Sequence, residues 1–294
     1  MAETSPRSMQ PHLLRRVAGA AGAALFALSL TACDLAMSGF HEEAKDTWSK
    51  NYPLAANGRL EIVNTNGSIH VVAAESSQVE IQAERVARSA TQQGAKDLLA
   101  KLEIKEDVSS DRVHLESKQP TMMGLHGGIE VRYTIRVPRN VAVDLRETNG
   151  SIDASGLTHE SHLSTTNGHI DGRTLDGAVH ASTTNGHVEL QMASLSQDIE
   201  AETTNGHIIV RVPPDAGADV SARVTNGHIG IEGLPSLKAD DENSRRRFSG
   251  RLNAGGHAIR LQTTNGGITL TSNGIGGDKD KDKNKKADKE SLER

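Results

Sequence analysis

One tripeptide, Thr-Asn-Gly, recurs seven times in this 294-residue chain and narrows the folds open to it. The repeats place turn pairs at Asn66-Gly67, Asn149-Gly150, Asn167-Gly168, Asn185-Gly186, Asn205-Gly206, Asn226-Gly227 and Asn265-Gly266. From Asn149 to Asn226 the steps are 18, 18, 20 and 21 residues. Apolar residues alternate on both sides of each turn, as Val179 and Ala181 before one and Val188 and Leu190 after it. Each unit therefore reads as strand, turn, strand. Asn and Gly tolerate the positive φ that a tight corner needs.

Two all-β architectures fit this pattern. Asn-Gly between alternating strands is a strong hairpin signal, so a meander of hairpins is one. The other is a β-solenoid, in which each 18–21-residue coil stacks its corner on the last. The solenoid explains more, because a hairpin does not need identical residues at a fixed place. Identical residues become useful when coils lie about 4.8 Å apart and side chains bond along a ladder. Each coil then buries its apolar face only against neighbours. Aromatics make up 2% of the chain, so the core must come from Ile, Val, Leu, Ala and Thr, which suits thin stacked layers.

The expected organisation has five parts. Residues 1–32 read as a lipoprotein signal, with Arg15 and Arg16 ahead of an apolar run from Val17 to Leu30. The run is too short to span a bilayer comfortably. It ends in Leu30-Thr31-Ala32-Cys33, the pattern of a bacterial lipobox, so Cys33, the only cysteine, is the expected site of diacylglycerol and palmitate attachment. With no second cysteine, no disulfide is possible within the chain. Residues 33–56 read as a tether. Residues 57–142 hold the first repeat and a small α+β insertion, with a helix expected over 90–102 and strands near 79–83, 102–104, 113–115 and 129–137. Residues 143–272 carry the remaining repeats, interrupted by a charged surface loop at 234–256 that includes Arg245-Arg246-Arg247. Residues 273–294 alternate Asp and Lys and read as a disordered tail.

The Asn-Gly-X-Ile/Val units, with the lipoprotein signal, make the chain resemble a bacterial putative adhesin family whose domains have no established function. The resemblance covers about residues 57–272. It implies a right-handed β-solenoid-like fold at the cell envelope and does not imply a catalytic residue. It carries no ligand with it.

Among side chains that could do chemistry, His169, His187, His207 and His228 each lie two residues after a turn Asn. They should form an outward column, able to share a metal ion or to sense pH. Thr166, Thr184, Thr204, Thr225 and Thr264 precede the turn Asn and should form a second outward column. One such column is less than the paired columns that flat ice-binding solenoids use. Parallel β-helix enzymes cluster acids in a cleft, but Asp144, Asp153, Asp171 and Asp176 read as out of register, and no Gly-X-Ser-X-Gly, His-Glu-X-X-His or P-loop pattern occurs. A net charge of −5 gives no broad basic surface for nucleic acid. The resulting expectation is a non-catalytic envelope lipoprotein without a cofactor, held on the periplasmic face of the inner membrane or at the outer membrane. It would bind another envelope protein or carbohydrate, or self-associate. An envelope-stress or signalling accessory, or a metal- or pH-responsive module, are the alternatives.

Overall fold

Alternating apolar residues become strands here because each inward side chain finds the equivalent side chain of a neighbouring coil. The computed structural model describes residues 42–119, 127–241 and 243–273. Cys33, the signal and residues 274–294 lie outside them. Among the described residues the chain is nearly all β, with one short helix.

The repeating unit is clearest in the middle. The strands before each corner are β7 (Ala142–Ser155), β8 (Ser161–Asn167), β10 (Val179–Asn185), β12 (Ile199–Asn205), β14 (Ala218–Asn226) and β18 (His257–Asn265). Those after it are β9 (Ile170–Leu175), β11 (Val188–Met192), β13 (Ile208–Val212), β15 (Ile229–Glu232) and β19 (Ile268–Ser272). The two strands of one coil do not pair with each other. Each pairs in parallel with its counterpart in the next coil, as β10 does with β8 and β12. This is the solenoid arrangement and excludes the meander of hairpins. Leu163, Ala181, Ala201, Leu261 and their neighbours on the other ladder form the buried core between the two layers.

The Asn-Gly pair is a bend between ladders rather than a tight turn. In β2 (Arg59–Ala74) and β7 the strand runs through it without a break. None of the repeat asparagines has positive φ, contrary to the conformational role expected from sequence. Asn is there for its side chain, as the next subsection shows.

The coils do not stack in chain order. β12 pairs with β18, and β18 pairs in turn with β14. The corner order is therefore 66, 149, 167, 185, 205, 265, 226, so the last coil of the sequence is inserted beneath the one before it. Beyond β14 lies β17 (Arg247–Leu252), antiparallel to it and paired further with β16 (Leu237–Ala239). The segment expected as a surface loop at 234–256 is thus an end cap.

The other end repeats this plan in mirror image. β2 lies between β7 on one side and β5 (Arg112–Lys118) with β6 (Gly127–Pro138) on the other, all parallel. β3 (Gln78–Ser89) then runs antiparallel along β6, and β4 (Glu103–Val108) along β5. At both ends the coil nearest the chain terminus is one rung in from the physical end, and an antiparallel strand seals the stack. Sealing matters because an open parallel edge would template further pairing.

Two local readings change. Residues 42–53, expected within a tether, form β1 (Glu42–Pro53), paired with β3 along its whole length. Its inward residues are few: Ala44 and Tyr52 are buried and Trp48 packs against the core. The helix, α1, runs Gln92–Lys101. Thr91 caps it by accepting from the Gly94 N–H at 3.1 Å. It buries Ala95 and Leu98 against β3 and β1.

Candidate binding face

Three ladders of side chains fix the corner. The first is the asparagine column. Each Nδ2 donates to the Oδ1 of the next asparagine along the stack: Asn226 to Asn265, Asn265 to Asn205, Asn205 to Asn185, Asn185 to Asn167, Asn167 to Asn149 and Asn149 to Asn66, all at 2.8–2.9 Å. Asn66 then donates to Gln119 Oε1 at 2.9 Å, which ends the chain of amides. All the dipoles point the same way, so the bonds reinforce one another. Asn185→Ala removes two of these bonds and Asn226→Ala one. The expected losses are ~1–2 and ~0.5–1 kcal/mol, checked by denaturant unfolding.

The second ladder uses the first threonine of each repeat, which points inward. Thr165, Thr183, Thr203 and Thr263 donate from Oγ1 to the carbonyls of Gly150, Gly168, Gly186 and Gly206 in the adjacent coil, at 2.9–3.2 Å. Asn64 does the same in β2, donating to the Val131 carbonyl at 2.9 Å. Glu147 takes this place in β7. Only its protonated form carries a donor.

Glu147 is 4% exposed. Burial pushes its pKa up to about 7, against hydrogen bonds from the Asn64 side chain and the Thr148 and Asn149 N–H groups, while Glu130 adds repulsion. The unfolded group ionises near 4.5, so folding favours the proton. The stability this gives is complete below about 4.5 and is lost as pH rises through about 7. Glu147→Thr is therefore expected to gain little at pH 4 and up to about 3 kcal/mol at pH 8, read from melting temperatures across pH.

The third ladder is the histidine column. His169, His187 and His207 stack with centroids 5.0 and 5.1 Å apart and planes within 3°. Gly267 occupies the next rung, because His207 and His228 flank the inserted coil. The column expected from sequence is therefore broken before His228. Stacked rings hold their in-plane lone pairs side by side, not converging on one point. Among the described residues no group of three or more His, Cys, Asp or Glu is arranged to hold a metal. Burial lowers the His187 pKa, and the flanking His169 and His207 lower it further.

Sequence reasoning missed two other columns. Asp153, Asp171 and Glu189 are in register on successive rungs, four residues after each Asn, so the acids recur after all. Arg173 and Arg211 pair with Asp171 and Glu189, which marks them as parts of a solvated, ion-paired face. Five residues before each Asn, His162 stacks on His180 at 4.6 Å, and His180 Nδ1 lies 3.1 Å from Glu200 Oε2. The 18-residue spacing of these two histidines was the signal available.

The outward side of β8, β10, β12 and β18 carries three polar columns, one, three and five residues before each Asn. The outer threonines Thr166, Thr184, Thr204 and Thr264 form the first. Ser164, Ser182, Glu202 and Gln262 form the second, and His162, His180, Glu200 and Arg260 the third. Three shallow grooves open on this one side. One, of about 310 Å³, runs along the threonine and serine columns. One, of about 270 Å³, follows the histidines to Asp198 and Arg260. The last, of about 370 Å³, reaches Arg223 and Arg247 at the cap.

This stretch of coils is also what known proteins share with the chain. Residues 139–271 match the family model described as Toastrack DUF4097. Over these residues the chain is similar to a Toastrack DUF4097 domain. Among curated proteins none matches the sequence. Solved structures similar to the chain include a putative cell adhesion protein from Clostridium sporogenes, 12% identical, spanning 79% of this chain and all of that one with a TM-score of 0.43. A putative adhesin from Bacteroides fragilis is likewise 12% identical, over 78% of this chain and 98% of that one, with a TM-score of 0.40.

The matched stretch begins at the β6–β7 junction and ends within β19, so it contains the residues that line all three grooves, those of the cap strand β17 included. No helix among the described residues is long and apolar enough to cross a membrane.

Proposed function

We propose that this chain is a non-catalytic envelope lipoprotein, anchored through Cys33, whose outward Toastrack face binds a carbohydrate component of the envelope. The observation that supports it is the three neighbouring grooves on one side of the sheet, lined by hydroxyls, amides and carboxylates on a parallel ladder. Such a surface offers many modest hydrogen bonds at a fixed spacing, which suits a polymer of repeating hydroxyls better than a single small molecule. Residues 34–41 would link the anchor to β1.

Calorimetric titration of the mature chain with neutral tetrasaccharides tests the reading. Saturable binding is expected, weakened at least fivefold by Ser182→Val with Thr184→Val in a protein that still melts normally. Absence of heat with neutral and acidic oligosaccharides alike would contradict it. Labelling with palmitate in cells should be lost in Cys33→Ser; retention of the label would remove the anchor.

A further inference from the structure

We infer that the cap end of this face holds an anion-binding subsite, formed by Arg223 and Arg247, that selects sugars bearing a carboxylate or phosphate. The inference rests on the carbohydrate reading above and names its substrate class.

The argument starts from the strand pair β14–β17. Its outward residues oppose one another in register as Asp219 with Arg251, Ser221 with Ser249, and Arg223 with Arg247. The first is an ion pair at 3.1 Å. The second is neutral. The third places two guanidiniums directly opposite, with Cβ atoms about 5 Å apart, which weakens a sheet rather than supporting it. Among the described residues neither guanidinium has a carboxylate within ion-pair distance, although arginines elsewhere on this surface do: Arg260 pairs with Asp198 at 3.3 Å.

The cap holds this unfavourable pair in place. Ser244 Oγ accepts from the Arg247 N–H at 3.1 Å, and the Arg246 carbonyl accepts from the Val224 N–H at 2.9 Å. Asn243 brackets Ser249, accepting from its N–H at 2.7 Å and donating to its carbonyl at 2.8 Å. Both arginines then line the 370 Å³ groove. Two arginines on one cavity match an oxyanion, which guanidinium binds in bidentate fashion. The acids nearby complete the fit. Glu200 is engaged by His180, and Asp198 by Arg260. Glu202 lies two rungs from Arg223, with Gln262 between them. A sugar whose anionic group sits on the arginines would turn its hydroxyls toward the Gln262 amide and the Glu202 carboxylate, donors and acceptors suited to them. The run Arg245-Arg246-Arg247 thereby has a use that a plain surface loop does not give it.

The experiment is calorimetric titration of the mature chain with tetragalacturonate, a glycerol phosphate oligomer and a neutral tetragalactose. Tighter binding of an anionic probe by at least tenfold is expected, falling to the neutral level in Arg223→Gln with Arg247→Gln. Whichever anionic probe binds more tightly identifies carboxylate or phosphate. Equal binding of charged and neutral probes would overturn the subsite and leave the carbohydrate reading standing. Anion selectivity unchanged in the double variant would also overturn it. Binding of no oligosaccharide would remove the parent reading instead. Removing two like charges should not unfold the cap, so an unchanged melting temperature certifies the variant.

Discussion

Ending the chain after Gly256 is expected to unfold the stack rather than shorten it by one coil. In an ordinary solenoid the last repeat is the end repeat, and its loss removes one increment of stability. Here the last coil lies between β12–β13 and β14–β15. It buries Ile259, Leu261, Ile268 and Leu270. At about 1.5–3 kcal/mol for each buried side chain, these four contribute about 6–12 kcal/mol, comparable to the whole stability of a typical domain. The deletion also strips β14 of its parallel neighbour and leaves it paired with the cap strand β17 alone. Circular dichroism should show loss of the cooperative melt. A truncated chain that melts within a few degrees of its parent would show that the inserted coil is dispensable.

Gly206→Ala is expected to be almost as damaging, for a steric reason. A Cβ at Gly206 would lie 1.7 Å from the Gly186 carbonyl oxygen of the adjacent coil. Its φ of 158° adds a conformation that L-residues seldom adopt. The obstacle is backbone, held in place by Thr203, which donates to that same carbonyl at 3.0 Å. Relief therefore requires the coils to separate, breaking the threonine and asparagine ladders together. A loss of ~4 kcal/mol or more follows, at the extreme of single substitutions. Gly230→Ala is the control: its nearest neighbour would be 3.9 Å away, so the change should cost ~1 kcal/mol or less. Denaturant midpoints for the two variants measure the difference.

These two predictions separate what the sequence reveals from what it conceals. The corners are legible because each one needs the same three things: an inward donor at Thr, an amide rung at Asn and no side chain at Gly. The purpose of Asn was less legible, since the residue that suits a positive φ is also the residue that builds an amide ladder. The coil order was hidden for a deeper reason. Every coil carries the same corner code, so any coil can stack on any other, and nothing local marks Asn265 as the neighbour of Asn205. The clues are slight: Gly267 stands where His recurs, and Val224 replaces the inward threonine at the physical end. β1 was concealed by its exposed Lys, Asp and Glu side chains, which read as a tether when only Ala44, Trp48 and Tyr52 face inward. The register of Asp153, Asp171 and Glu189 was lost because Glu broke a pattern sought in Asp alone. Arg223 and Arg247, 24 residues apart in sequence, meet only because β17 folds back along β14.

The order of the coils decides most of this account, and disulfide trapping tests it directly. In a Cys33→Ser background the chain has no other cysteine. Glu202→Cys with Gln262→Cys places two thiols on adjacent rungs, about 4.8 Å apart along the sheet and within reach of a bridge. Glu202→Cys with Arg223→Cys places them two rungs apart, at roughly 9.6 Å, beyond it. Mild oxidation should close the first pair and leave the second open. Closure of the second pair and not the first would mean that the coils stack in chain order.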